Sequence, residues 1–192
     1  MTTLFNQTQF KELISLAKIH SPALFYPIFL LIFDAAADVT ELINLKWQDV
    51  HFKNKTISLN PSKDLQLRDI IVSEALISAL SRLPNTHTNI FTNLQNKPFP
   101  QQALGKELKL FIRQTNYNKN LTLKNLHTSY IYNFIQKGSS IQNLQKILGH
   151  KNQIQTLAHL KTVTKNQNLH ILNAHKAVQE YAISINTNTQ NT

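Results

Sequence analysis

The eleven residues from Ala23 to Phe33 are almost all apolar, and they decide what the remainder of the chain must be. The run is interrupted by Pro27 and stopped by Asp34, well short of the ~20 apolar residues a helix needs to cross a bilayer. It begins too far from Met1, behind an amphipathic stretch, to resemble a signal peptide. What remains is a buried helix with other amphipathic elements packed around it. A chain of 192 residues, 42% hydrophobic, can bury such a core as one soluble domain. The absence of cysteine excludes a disulfide scaffold and any thiolate metal site, and it fits a cytoplasmic location.

Periodicity predicts a mainly α chain with a small antiparallel β-sheet. Phe10, Leu13, Ile14 and Ala17 recur at helical spacing, and Ser21-Pro22 reads as a cap and first helical residue opening the buried helix. Val39, Leu42, Ile43 and Trp47 suit a third, short helix. Strands are expected at Thr56–Leu59 and Asp69–Ser73, joined by the turn from Pro61 to Leu67, with a helix from Ser73 to Leu83. Pro84, Pro98 and Pro100 bracket an irregular connector. Helices follow over Gln101–Thr115 and Lys124–Lys137, the latter stopped by Gly138. Ser140 caps another running through Leu148. A last helix is expected over about Asn166–Ile183. Residues 1–185 thus read as a single domain and 186–192 as a disordered tail.

Charge is one-sided. Residues 1–96 carry eight basic and eight acidic side chains, whereas 97–176 carry twelve basic residues against Glu107 alone. Solubilising lysines account for scattered charge but not for this asymmetry, which is the footprint of a nucleic-acid-binding face.

Two motifs give that face a context. "LKNLHTSY" (Leu123–Tyr130) and the turn Ile147-Leu148-Gly149-His150 resemble the C-terminal half of a tyrosine recombinase (phage integrase) catalytic domain. The resemblance extends over nearly the whole chain. "FDAAADVTELINLKWQDV" is similar to the family segment TGLRxSELLxLxWxDI, and "ISLNPSKDLQLRDIIVS" to the strand-turn-strand that holds the family's lysine. In length the chain is closer to the small fimbrial-switch recombinases, with no separate core-binding domain expected.

The resemblance implies a reaction that uses neither metal nor ATP, so no cofactor is expected. A tyrosine hydroxyl attacks a DNA phosphate, two arginines clamp its oxygens, a lysine protonates the leaving oxygen and histidines assist. Carried over by position, the lysine is Lys63 and the Leu-Gly-His histidine is His150. The first arginine becomes Asp38, the first histidine Lys124, the second arginine His127 and the nucleophile His159. No tyrosine lies between Asn133 and Glu180, so a small change of register does not restore one. Lys63, Lys124 and Lys151 are the expected DNA contacts. Taken singly, these lysines would be ordinary turn and helix-end charges; only the surrounding match gives them meaning.

The resemblance therefore implies a degenerate recombinase-like protein that binds double-stranded DNA without cutting it. A second reading is an interaction module that kept the fold and lost DNA. Its C-terminal helix would hold another copy or an active recombinase. A third is repurposed chemistry at Asp38, His127, His150 and His159, a residue set able to ligate a divalent metal or to offer His159 as a nucleophile.

Overall fold

The computed structural model describes residues 4–59, 65–93 and 95–165. Lys63, the expected helix at Asn166–Ile183 and the tail lie outside the described residues. The apolar run forms the centre. Helix α2 (Phe25–Ala35) buries Phe25, Ile28, Phe29, Leu31 and Ile32, and α1 (Gln7–His20) lays Phe10, Leu13 and Ala17 against it. Phe25 and Phe29 both pack on Phe111 of α5 (Gln101–Thr115), with ring centroids 5.4 and 5.8 Å away. These separations fit the tilted and edge-on geometries that aromatic quadrupoles favour.

The start of α2 differs from the Ser21-Pro22 expectation. Ser21 ends α1, a turn follows, and α2 begins at Phe25. Ser21 nevertheless works as a cap from a distance, its Oγ accepting the Phe25 amide at 3.2 Å. Pro27 then falls in the first turn, where a missing N–H breaks no helical bond.

The sheet has three antiparallel strands, β1 (Val50–His51), β2 (Thr56–Leu59) and β3 (Arg68–Ile71), in that spatial order. Register pairs Ile57 with Ile70 and Leu59 with Arg68. β1 was not expected, and β3 starts and ends earlier than the Asp69–Ser73 reading. Helix α3 (Val39–Asn44) is short as expected, while Trp47 opens a separate 3-10 turn, Trp47–Asp49, and stacks on Phe52.

Helices α4 (Glu74–Ser81), α6 (Leu123–Gln136) and α7 (Ile141–Leu148) match expectation within a residue or two, with Ser73, Thr122 and Ser140 capping their first turns. Gly138 and Gly149 take the left-handed conformation that ends α6 and α7. Helix α8 (Gln153–Lys165) was not expected at all.

Two apolar clusters meet along α6. Leu123 and Leu126 belong to the large one around α2. Ile131 and Ile135 join a smaller one with Ile141, Leu144, Leu148 and Leu160, which binds α7 and α8 to α6. His127 sits between the two sets, beside the Ala35–Ala37 turn that ends α2.

Candidate active-site cluster

Four of the six carried-over positions are held close together by four different elements. Asp38 caps α3, His127 lies on α6, His150 follows α7 and His159 lies on α8. The rings of His150 and His159 are 5.5 Å apart between centroids, and those of His127 and His159 are 6.0 Å apart. Asp38 and Lys124 both act electrostatically on His159, the first raising and the second lowering its affinity for a proton. Lys124 and Lys151 are exposed. Among the described residues, no three His, Asp or Glu side chains are arranged to hold a metal ion.

Position 38 is held by structure as much as by charge. The Asp38 carboxylate accepts the Glu41 amide at 2.8 Å, and the Glu41 carboxylate accepts the Asp38 amide at 3.0 Å. This capping box satisfies the first amides of α3. An arginine offers no acceptor for it. Asp38→Arg should therefore cost about 1 kcal/mol in chemical denaturation through the lost cap.

Glu41 has a second task that the sequence did not announce. Its buried carboxylate takes both Arg68 guanidinium nitrogens, Nη1 at 2.5 Å and Nη2 at 3.0 Å. Burial raises the Glu41 pKa, against the opposing pull of Arg68. The pair ties α3 to β3, and Arg68 is near enough to act electrostatically on His127 and His150.

His150 is fixed from both sides of the backbone and by its ring. Gly149 adopts φ 68°, the His150 amide donates to the Gln145 carbonyl at 3.1 Å, and the Gln66 amide donates to the Gly149 carbonyl at 2.6 Å. Leu65, the first described residue after the 60–64 gap, bridges to His150 itself. A side chain at 149 would put its Cβ 2.8 Å from the Gln66 carbonyl and 3.0 Å from Arg68 Nη1. Gly149→Ala is expected to lower stability by about 2 kcal/mol, from the left-handed backbone alone and more from the overlap. Thermal melting of the variant checks this.

The ring of His150 is held at both nitrogens. Nδ1 shares a hydrogen bond with the Thr156 hydroxyl at 2.9 Å, and Nε2 faces His159 Nδ1 at 3.5 Å. On the other side, the Ala36 backbone favours the protonated form of His127, against the effect of burial. Burial is the largest influence on all three histidines and favours the neutral ring. His127 and His150 are each pushed down to about 4, with His159 as the next cause in both. His159 is also lowered.

The cluster is thus a set of neutral imidazoles beside a capped carboxylate, with a cation at its edge. It can accept and donate hydrogen bonds, but among these four positions it offers neither a hydroxyl nucleophile nor a guanidinium. Sequence reasoning passed over Arg68, Glu41, Thr156 and the helix carrying His159. A signal for that helix did exist: Asn152 accepts the Gln155 amide at 2.9 Å, the same Asn-x-x-Gln spacing as Asn6 and Gln9 at the start of α1.

Comparison with known proteins places this geometry. The Phage integrase family matches residues 4–167. Tyrosine recombinase XerA of Pyrococcus horikoshii is 28% identical over 150 residues, covering 72% of this chain and 50% of its own length. A probable integrase/recombinase of Acholeplasma phage L2 is 28% identical over 156 residues, covering 79% of this chain and 50% of its own length. The chain thus spans about half the length of these curated relatives. Among solved structures, a XerA recombinase crystal structure superposes with a TM-score of 0.72 at 20% identity, over 94% of this chain and 65% of that one. The Tn1549 transposon integrase in complex with transposon right end DNA gives 0.70 at 16% identity, over 94% and 66%. At these identities the structural likeness carries the fold.

Proposed function

The chain belongs to the phage integrase family, and from that premise we propose that it binds double-stranded DNA as a recombinase catalytic domain does, without forming a covalent link to it. The observation that carries this reading is His159. It stands where the resemblance puts the nucleophile, 3.5 Å from His150, and has no hydroxyl to attack a phosphate. The protein would then act in DNA recombination or integration by occupying a site, or by modulating an active recombinase.

Lys124 supports the DNA part of the reading. It is exposed in the first turn of α6, where the helix dipole disfavours a cation. A phosphate at that helix end would be met by both the lysine and the free amides. The basic bias of residues 97–176 points the same way. Lys63, Lys124 and Lys151 are the proposed contacts, and a further copy or a partner recombinase remains the proposed protein partner. The interaction-module reading differs in one measurable respect, which is salt-dependent DNA binding.

A mobility-shift titration of duplex DNA at several salt concentrations tests the proposal. Log affinity should fall linearly with log salt, by about 0.9 for each phosphate neutralised. Replacing Lys63, Lys124 and Lys151 together should flatten that slope by roughly 3 if each neutralises one phosphate. Binding that ignores salt, or no binding at low salt, would replace this reading with the interaction module. On a nicked suicide substrate, no covalent adduct should survive denaturing electrophoresis. His159→Tyr alone should not create one, because groups that act as a unit fail together. A covalent adduct from the unaltered protein would overturn the non-cleaving part.

A further inference from the structure

Away from the histidines, three cations surround one cavity, and no acid among the described residues answers them. Helix α5 sets Lys109, Ile112 and Arg113 on one face and ends at Asn116, which is left-handed at φ 50°. With Tyr117 and Lys119 they line a cavity of about 460 Å³. Small-molecule pockets run from about 300 to 1,000 Å³. Lys109, Arg113 and Lys119 are exposed and form no ion pair among the described residues. Glu107, the only acid of α5, stands two residues from Lys109 and therefore on the opposite side of the helix. Glu12 of α1 acts electrostatically on Tyr117 but does not line the cavity.

Like charges four residues apart destabilise a helix. The helix dipole compensates Arg113, which is in the last turn of α5, but its effect falls off before Lys109, and Lys119 lies beyond the helix. Two of the three cations are thus left for an anion to satisfy. The exposed cations form the rim, and Ile112 and Tyr117, 6% and 9% exposed, form an apolar wall. Tyr117 is fixed there, its ring stacked on Phe5 and its hydroxyl donating to the Gln9 carbonyl at 2.9 Å. Asn116 adds an amide that both donates and accepts.

We propose that this cavity binds a nucleoside phosphate, its phosphate held by Lys109, Arg113 and Lys119 and its base set against Ile112 and Tyr117. The Arg113 guanidinium is a planar fork that matches two phosphate oxygens at once. An inorganic anion leaves the apolar wall unused, and an uncharged nucleoside leaves the cations unanswered. Asn116 selects among bases, since a side-chain amide pairs best with the edge of adenine. The same chemistry is offered by a free nucleotide and by a nucleotide of an unpaired strand. The site is separate from the histidine cluster and stands whether or not the chain holds duplex DNA.

The test is equilibrium dialysis of the full chain against radiolabelled deoxyadenosine monophosphate. No duplex DNA is present, so failure here is distinct from failure of the duplex reading. One nucleotide per chain is expected, bound about 10-fold or more tighter than deoxyadenosine or inorganic phosphate. Arg113→Gln should weaken binding about 10-fold, and Lys109→Gln combined with Lys119→Gln by at least as much. Lys18→Gln, at an exposed lysine of α1, should leave it unchanged. A single-stranded deoxyadenylate oligonucleotide separates the two sources. If it binds more tightly than the monomer and weakens in Arg113→Gln, the occupant is an unpaired strand; any other result with the monomer bound identifies the free nucleotide. Inorganic phosphate binding as tightly as the nucleotide would overturn the proposal, as would unchanged affinity in Arg113→Gln. Displacement of the nucleotide by a glutamate-rich peptide at matched charge would overturn it in favour of an acidic protein partner.

Discussion

Acidifying the protein from pH 7 to pH 4.5 should remove several kcal/mol of its stability, well before most carboxylates titrate. His127 and His150 are held down to about 4 from an ordinary value of 6.5. Between those two values the unfolded chain takes up protons on both imidazoles and the native protein does not. Stability is therefore complete above about pH 6.5, falls as pH drops through this window, and loses nothing more from these groups below about pH 4. A full depression of this size corresponds to roughly 3 kcal/mol for the deeply buried His127, and solvent screening makes the His150 share smaller. The charges facing them divide. Asp38 pulls His127 up, Arg68 and His159 push both down, and Asp38 and Lys124 oppose one another at His159. Urea denaturation at pH 7.0, 5.5 and 4.5 measures the effect, and His127→Gln should flatten part of it. Equal stability at pH 7 and pH 5 would show that the imidazoles are not held neutral.

Breaking the Arg68–Glu41 pair should be comparably damaging. Arg68→Met leaves a carboxylate that is 3% exposed with no counter-ion, the circumstance in which loss of a buried partner costs about 3–5 kcal/mol. Part of that loss would pass into α3, because the same carboxylate accepts the Asp38 amide. Glu41→Leu combined with Arg68→Met should recover much of the stability, since two apolar chains of similar volume need no partner. Both single variants and the double form a thermodynamic cycle in chemical denaturation. Single changes costing under about 1 kcal/mol would mean that the pair is solvated.

The sequence was most readable where local chemistry decides the structure. Asn6, Ser73, Thr122 and Ser140 bond to the amides of their own helices, and Gly138 and Gly149 end theirs, so these boundaries follow from neighbours in the chain. The buried helix was readable from composition alone, although its first turn was placed too early because Ser21 caps Phe25 across an intervening turn. Helix α8 escaped because its apolar residues do not share one face: Leu160 and Val163 are buried and Leu157 half-buried, while Ile154 is exposed. Its apolar stripe is too thin to recognise.

Within the cluster, the family resemblance supplied the positions but not the contacts. That Glu41 also binds Arg68 and that Thr156 bonds the His150 ring are facts of three dimensions, whereas the Asp38-x-x-Glu41 cap is local to the chain and went unread. Nothing beside Arg68 in the chain announces its role, because its burial depends on α3 arriving from elsewhere.

The bond from the Gln66 amide to the Gly149 carbonyl joins points about 80 residues apart, across α4, α5, α6 and α7. Each helix between them can nucleate from its own sequence, but this closure must wait until those helices have docked, because a loop of that length carries its full entropic cost first. The histidine cluster is consequently a late product of folding, and a partly folded chain can be largely helical and still lack it. In the native protein the Gln66 amide becomes a timekeeper for the site: its hydrogen-exchange lifetime reports how often the β3 approach and the turn at His150 part company, independently of how often the helices fray.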